Sequence, residues 1–110
     1  MSDPLGAVFS ALADPTRRSM VESLLDDGTT TVPALTDRLP ITRQAVAKHL
    51  ATLQEAGLVE RLPAGGREVR YRLREGALHP TTTWLAATER AWDDRLGRLK
   101  RSVEGEPRPN

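Results

Sequence analysis

The sequence predicts a mainly α-helical fold with a small β-hairpin, about five helices and two strands. Three observations predict it. Apolar residues recur at helical spacing in several capped segments. One alternating segment follows a paired-glycine turn. A long C-terminal segment carries apolar residues seven apart.

The first helix is expected from Pro4 to Leu12, because Leu5, Val8, Phe9 and Leu12 form one apolar face. Asp14 caps the second, with Pro15 at its first position. Met20, Val21, Leu24 and Leu25 make its inward stripe, and Gly28 stops it by taking positive φ. Thr31 caps a short third helix that turns Leu35 and Leu39 inward and ends at Pro40. Thr42 caps a fourth, Arg43 to Ala56, ended by Gly57. Its core stripe is Val46, Leu50 and Leu53, with Arg43, Gln44, Ala47, Lys48 and Ala51 nearer the opposite face.

Two strands follow, Leu58 to Leu62 and Arg67 to Leu73, around Pro63-Ala64-Gly65-Gly66. In the second, Val69, Tyr71 and Leu73 alternate with Glu68, Arg70, Arg72 and Arg74, giving a half-buried hairpin with a basic outer face. The last helix is expected from Thr82 to Glu104. Leu85, Trp92 and Leu99, flanked by Leu96 and Val103, form a helix–helix seam. Residues 1–104 are read as one domain and 105–110 as a disordered tail.

Composition narrows the function. The chain has 110 residues, 16 basic and 15 acidic side chains, and a net charge of +1. That balance fits neither a histone-like protein nor an acidic tail. The distribution is uneven. Residues 43–74 hold seven cations (Arg43, Lys48, Arg61, Arg67, Arg70, Arg72 and Arg74) against three acids (Glu55, Glu60 and Glu68). A local basic stripe suits a phosphate-bearing partner. With no cysteine, disulfides, thiolate metal sites and cysteine nucleophiles are excluded. There is no glycine-rich phosphate loop and no nucleophile–base spacing, so an enzyme is not expected. No apolar run reaches the ~20 residues of a membrane span, and the start lacks the regions of a signal peptide. The expected location is the cytoplasm, with no membrane partner.

Helix three, a short break and helix four follow the helix-turn-helix order, which sets the start of the second helix against base edges in the major groove. Arg43 and Lys48 suit guanine acceptors or phosphates, and Gln44 suits adenine. The hairpin that follows extends the basic surface, as the wing of a winged helix-turn-helix does.

The chain resembles the bacterial ArsR-type (ArsR/SmtB) winged-helix transcriptional regulators. The resemblance rests on four motifs in order. Ala11-Leu12-Ala13-Asp14-Pro15-Thr16-Arg17-Arg18 matches the opening of helix two, and Ile41-Thr42-Arg43-Gln44-Ala45-Val46-Ala47-Lys48-His49-Leu50 the recognition helix. Leu53-Gln54-Glu55-Ala56-Gly57-Leu58-Val59 matches the helix end and first wing strand, and Gly66-Arg67 through Tyr71-Arg72-Leu73 the wing. The resemblance implies a homodimer that binds an operator in double-stranded DNA, usually as a repressor. It places Thr42, Arg43, Gln44, Ala47, Lys48 and His49 on the groove or phosphates, and Arg67, Arg70 and Arg72 on the wing, which spans 58–73 and meets the backbone or minor groove. It places Leu5, Phe9, Leu12, Trp84, Leu85, Trp92, Leu96 and Leu99 at the dimer interface, formed by the first and last helices.

The chain departs from the family's metal sensors. Thr31, Val32, Pro33 and Ala34 stand where a thiolate site would need cysteines, and the last helix has Glu89, Asp93 and Asp94 but no histidine. It resembles the metal-independent branch, through Asp14-Pro15-Thr16-Arg17-Arg18 and through Trp92 followed by Arg95-Leu96-Gly97-Arg98-Leu99. No metal or cofactor is expected. Glu89 and Asp93 are read as surface ion-pair partners of Arg90, Arg95 and Arg98. His49 either donates to a phosphate or packs between helices, and His79 is read as an exposed linker residue. Arg17 and Arg18 oppose the dipole of the helix they open, which calls for a partner such as Asp14. Two other functions stay open: a sensor of this fold holding an organic effector near Trp84 and Trp92, and a winged-helix module for protein contacts.

Overall fold

The computed structural model describes residues 3–63 and 65–105. The chain divides into two compact units, Met1–Leu78 and His79–Asn110. The first unit holds helices α1 (Pro4–Ala13), α2 (Pro15–Asp27), α3 (Val32–Arg38) and α4 (Arg43–Glu55) and strands β1 (Thr29–Thr30), β2 (Val59–Pro63) and β3 (Val69–Leu73). The second holds one long helix, α5 (His79–Glu104). The mainly α winged helix-turn-helix architecture expected from the sequence is the one observed.

Each helix of the first unit starts where a short polar side chain takes a free N–H. Asp3 accepts from Gly6 at 3.0 Å and Asp14 from Thr16 at 2.8 Å. Thr31 accepts from Ala34 and Thr42 from Ala45, each at 3.1 Å. These bonds satisfy donors that have no partner inside their own helix. The caps fix the starts of α3 and α4, and so the angle at which α4 leaves the turn. Gly28 (φ 82) and Gly57 (φ 78) end α2 and α4 in backbone conformations that a side chain disfavours.

The core of this unit is Val8 and Ala11 from α1, Met20 and Leu24 from α2, Leu35 from α3, and Val46, Leu50 and Leu53 from α4, closed by Leu58 and Val59. α4 is therefore anchored along one whole stripe, and the chain reaches β2 directly after the Gly57 turn. An Arg38–Asp27 ion pair at 2.6 Å ties the end of α3 to the end of α2.

Several details differ from the sequence reading. The sheet has three strands in the order β1-β3-β2, not two. Thr29 and Thr30 pair antiparallel with Arg72 and Tyr71. Two residues show no alternation, so only the tertiary pairing defines this strand. Leu25 is 67% exposed and does not join the inward stripe of α2. β2 runs from Val59 through Pro63, and β3 starts at Val69 rather than Arg67. α5 starts at His79, which is exposed but helical. Pro80 sits in its first turn, where a missing N–H costs nothing. Of the expected tail, residues 106–110 lie outside the described residues, as does Ala64 of the hairpin turn.

α5 taken alone is amphipathic. Trp84, Leu85, Trp92, Leu96, Leu99 and Val103 are all exposed, Trp92 at 64%. Among the described residues no ion pair within 4.0 Å joins Glu89 or Asp93 to an arginine. Exposed ion pairs are worth little, so the helix gives up little without them.

Candidate nucleic-acid interface

The core stripe of α4 fixes what its other side shows. With Val46, Leu50 and Leu53 inward, Arg43, Gln44, Ala47, Lys48 and Ala51 are all exposed. Among the described residues neither Arg43 nor Lys48 has an ion-pair partner. The helix thus presents two uncommitted cations and an amide, separated by alanines that let a large partner come close. Thr42 is exposed at the positive end of the helix, its oxygen engaged as the cap.

The wing is less uniform than its composition suggests. The register sets Glu60 opposite Arg72 and Leu62 opposite Arg70. Arg72 Nε donates to Glu60 Oε1 at 2.7 Å. Arg70 donates to Thr29 Oγ1 at 2.9 Å and pairs with Glu68 at 3.2 Å. Arg67 is exposed, with no ion-pair partner among the described residues. Of the three predicted wing arginines, one is uncommitted and two are held by carboxylates. The cross-strand pairing was hidden in the sequence because it depends on register.

His49 stands apart from the other predicted residues of α4. It lies on a partly buried flank with Ala45 and Thr52. Its Nδ1 is 3.3 Å from Arg17 Nη1 and 3.7 Å from Asp14 Oδ2. Arg17 and Arg18 answer the dipole conflict unexpectedly. Arg17 donates to the carbonyls of Ala11 (2.7 Å) and Ser10 (3.1 Å). Arg18 donates to those of Leu12 (2.6 Å) and Ala13 (3.1 Å). These are the four carbonyls that α1 leaves free at its negative end. Both arginines open α2 but serve as the C-terminal cap of α1.

Asp14 links this joint to the recognition helix. Its carboxyl is held below the ordinary carboxylate range, chiefly by the Thr16 N–H and further by Arg17 and His49. A depressed pKa favours the fold at pH above the carboxyl's unfolded value, and that gain is lost as pH falls through the folded value. Asp14→Asn, which keeps a cap but has no charge, is therefore expected to shrink the loss of melting temperature between neutral and strongly acidic buffer. Thermal melts across that range check this.

The predicted interface residues Leu5 and Leu12 are partly buried in α1, while Phe9 is 41% exposed. Those of α5 share the exposed apolar face described above. Among the described residues no three His, Asp or Glu side chains converge to hold a metal ion, and no helix is long and apolar enough to cross a membrane.

Comparison with known proteins agrees with the geometry. Residues 12–61 match the family model described as "Helix-turn-helix domain". An HTH-type transcriptional regulator of Mycobacterium tuberculosis is 39% identical, over 89% of this chain and 87% of that protein. The uncharacterized HTH-type transcriptional regulator YuzN of Bacillus subtilis is 42% identical, over 61% of this chain and 75% of that one. An ArsR-like transcriptional regulator from Rhodococcus sp. RHA1 superposes with a TM-score of 0.84 at 39% identity, covering 94% of each chain. These relatives are transcriptional regulators rather than enzymes. The chain belongs to the ArsR-type family of helix-turn-helix transcriptional regulators.

Proposed function

We propose that the protein is a homodimeric repressor that reads its operator with α4. The observation that carries this reading is the exposed row Arg43, Gln44 and Lys48, with its two cations uncommitted, on a helix whose opposite stripe is locked in the core. Arg43 and Lys48 suit guanine or phosphate and Gln44 suits adenine. Ala47 permits close approach, and Thr42 sits where the helix N-terminus favours a phosphate. Arg67 supplies a wing contact to the backbone directly. Arg70 and Arg72 do so by exchanging a carboxylate for a phosphate, an exchange made cheap by the small worth of exposed ion pairs.

The exposed apolar face of α5, together with Leu5, Phe9 and Leu12 of α1, supports pairing of two chains. An exposed face with two tryptophans and three leucines on one helix is the kind of apolar patch that marks an interaction site. Residues 1–104 act as one unit in this reading, and the protein works in the cytoplasm, where DNA is found. Occupancy of a promoter by such a dimer blocks transcription.

Titrating the full chain against duplex DNA at several salt concentrations tests the reading. Affinity is expected to fall steeply with salt, because each neutralised phosphate releases counterions. Salt-independent binding, or none, contradicts it and favours a module for protein contacts.

A further inference from the structure

We propose that Arg17 is a positioning residue for DNA binding: it engages Nδ1 of His49 and so holds Nε2–H of the same ring outward, as a donor to a DNA phosphate. The inference rests on α4 binding DNA and adds a contact that neither ring nitrogen explains alone.

The chemistry of the two partners dictates the tautomer. A guanidinium has five donors and no acceptor. Arg17 Nη1 lies 3.3 Å from Nδ1, so Nδ1 must be the acceptor, and a neutral ring then carries its proton on Nε2. The other charged group facing the ring is Asp14, whose Oδ2 would instead favour a proton on Nδ1. It lies at 3.7 Å, beyond hydrogen-bond length, and the same oxygen already pairs with Arg17 at 3.3 Å. Arg17 itself has little freedom. Two more of its donors go to the Ser10 and Ala11 carbonyls, and its side chain is 17% exposed.

The other nitrogen is available. Among the described residues Nε2 has no hydrogen-bond partner, and no side-chain nitrogen of the fold is both buried and unsatisfied. It therefore reaches solvent. His49 lies about 100° around α4 from Lys48, on the partly buried flank between the exposed row and the core stripe. In the proposed complex a donor on that flank meets a phosphate of the strand that edges the groove. The ring is thus tied to the α1–α2 joint on one side and offered to the backbone on the other.

The test uses the full chain and a duplex of random sequence, because a phosphate contact acts on any sequence. Nitrogen-15 NMR of the imidazoles without DNA, in mildly alkaline buffer, is expected to show His49 with its proton on Nε2. Arg17→Met is expected to lose that single-tautomer signature. His49→Phe fills the half-buried site without a donor and is expected to weaken binding about tenfold, the order of one hydrogen bond to a charged group. The salt slope should not change in either variant, since no phosphate-neutralising cation is lost. His49→Phe keeps the α1 cap, so it remains informative if Arg17→Met does not fold. A proton on Nδ1, unchanged affinity of His49→Phe, or a lower salt slope in either variant overturns the inference. Failure of the unsubstituted chain to bind DNA would instead refute the reading of α4.

Discussion

Trp92→Asp is expected to leave the Met1–Leu78 unit folded and to collapse DNA affinity by about 10²- to 10⁴-fold, the range by which linking two binding modules exceeds one. Trp92 is 64% exposed, and Leu85, Leu96 and Leu99 share its face. Among the described residues none of them belongs to the buried core of that unit. In the proposed dimer a carboxylate in the middle of that face would be buried against a second copy without a partner. Light scattering and DNA titration together check this. The variant should have the mass of one chain and the far-ultraviolet spectrum of a folded helical protein, with binding reduced to the single-unit level. A variant that still forms dimers would move the interface elsewhere on the molecule.

Leu50→Ala is expected to destabilise the first unit by about 2–5 kcal/mol, the usual cost of a buried leucine-to-alanine cavity. Leu50 has no exposed surface and sits at the centre of α4's inward stripe, among residues from α1, α2 and α3. Domains of this size have only about 5–15 kcal/mol in reserve, so this one substitution removes a large share. Denaturant unfolding should show a lower midpoint with a similar slope. The exposed row of α4 is untouched, so DNA affinity of the remaining folded fraction should be retained. Equal loss of affinity at temperatures where the variant is fully folded would mean that the core stripe does more than hold the helix.

Much of this was legible in the sequence because it is local. The caps Asp14, Thr31 and Thr42 announce their helices, and Gly28 and Gly57 end theirs by φ alone. The 3.6-residue period separates Val46, Leu50 and Leu53 from Arg43, Gln44 and Lys48 without any knowledge of neighbours. What escaped depends on contacts across the chain. Arg17 and Arg18 cap a helix that ends before they begin, and His49 meets Arg17 across 32 residues of sequence. Leu25 fits the apolar spacing of α2 yet is 67% exposed, because it lies about 100° around the helix from its buried neighbour Leu24. The wing arginines counted as equal cations until register put Glu60 against Arg72 and local geometry put Glu68 against Arg70.

The central claim is that α4 reads bases while the wing holds the backbone. Selection of bound sequences from a random duplex pool, run in parallel for the unsubstituted chain, Gln44→Ala and Arg67→Ala, tests it most directly. The unsubstituted chain should enrich two related half-sites about one helical turn apart, ~34 Å. Gln44→Ala should lose preference at one or two positions of each half-site and keep the rest. Arg67→Ala should return the same sequence preference with uniformly weaker binding and a salt slope lower by about one. An unchanged preference for Gln44→Ala, or an altered one for Arg67→Ala, would contradict the claim.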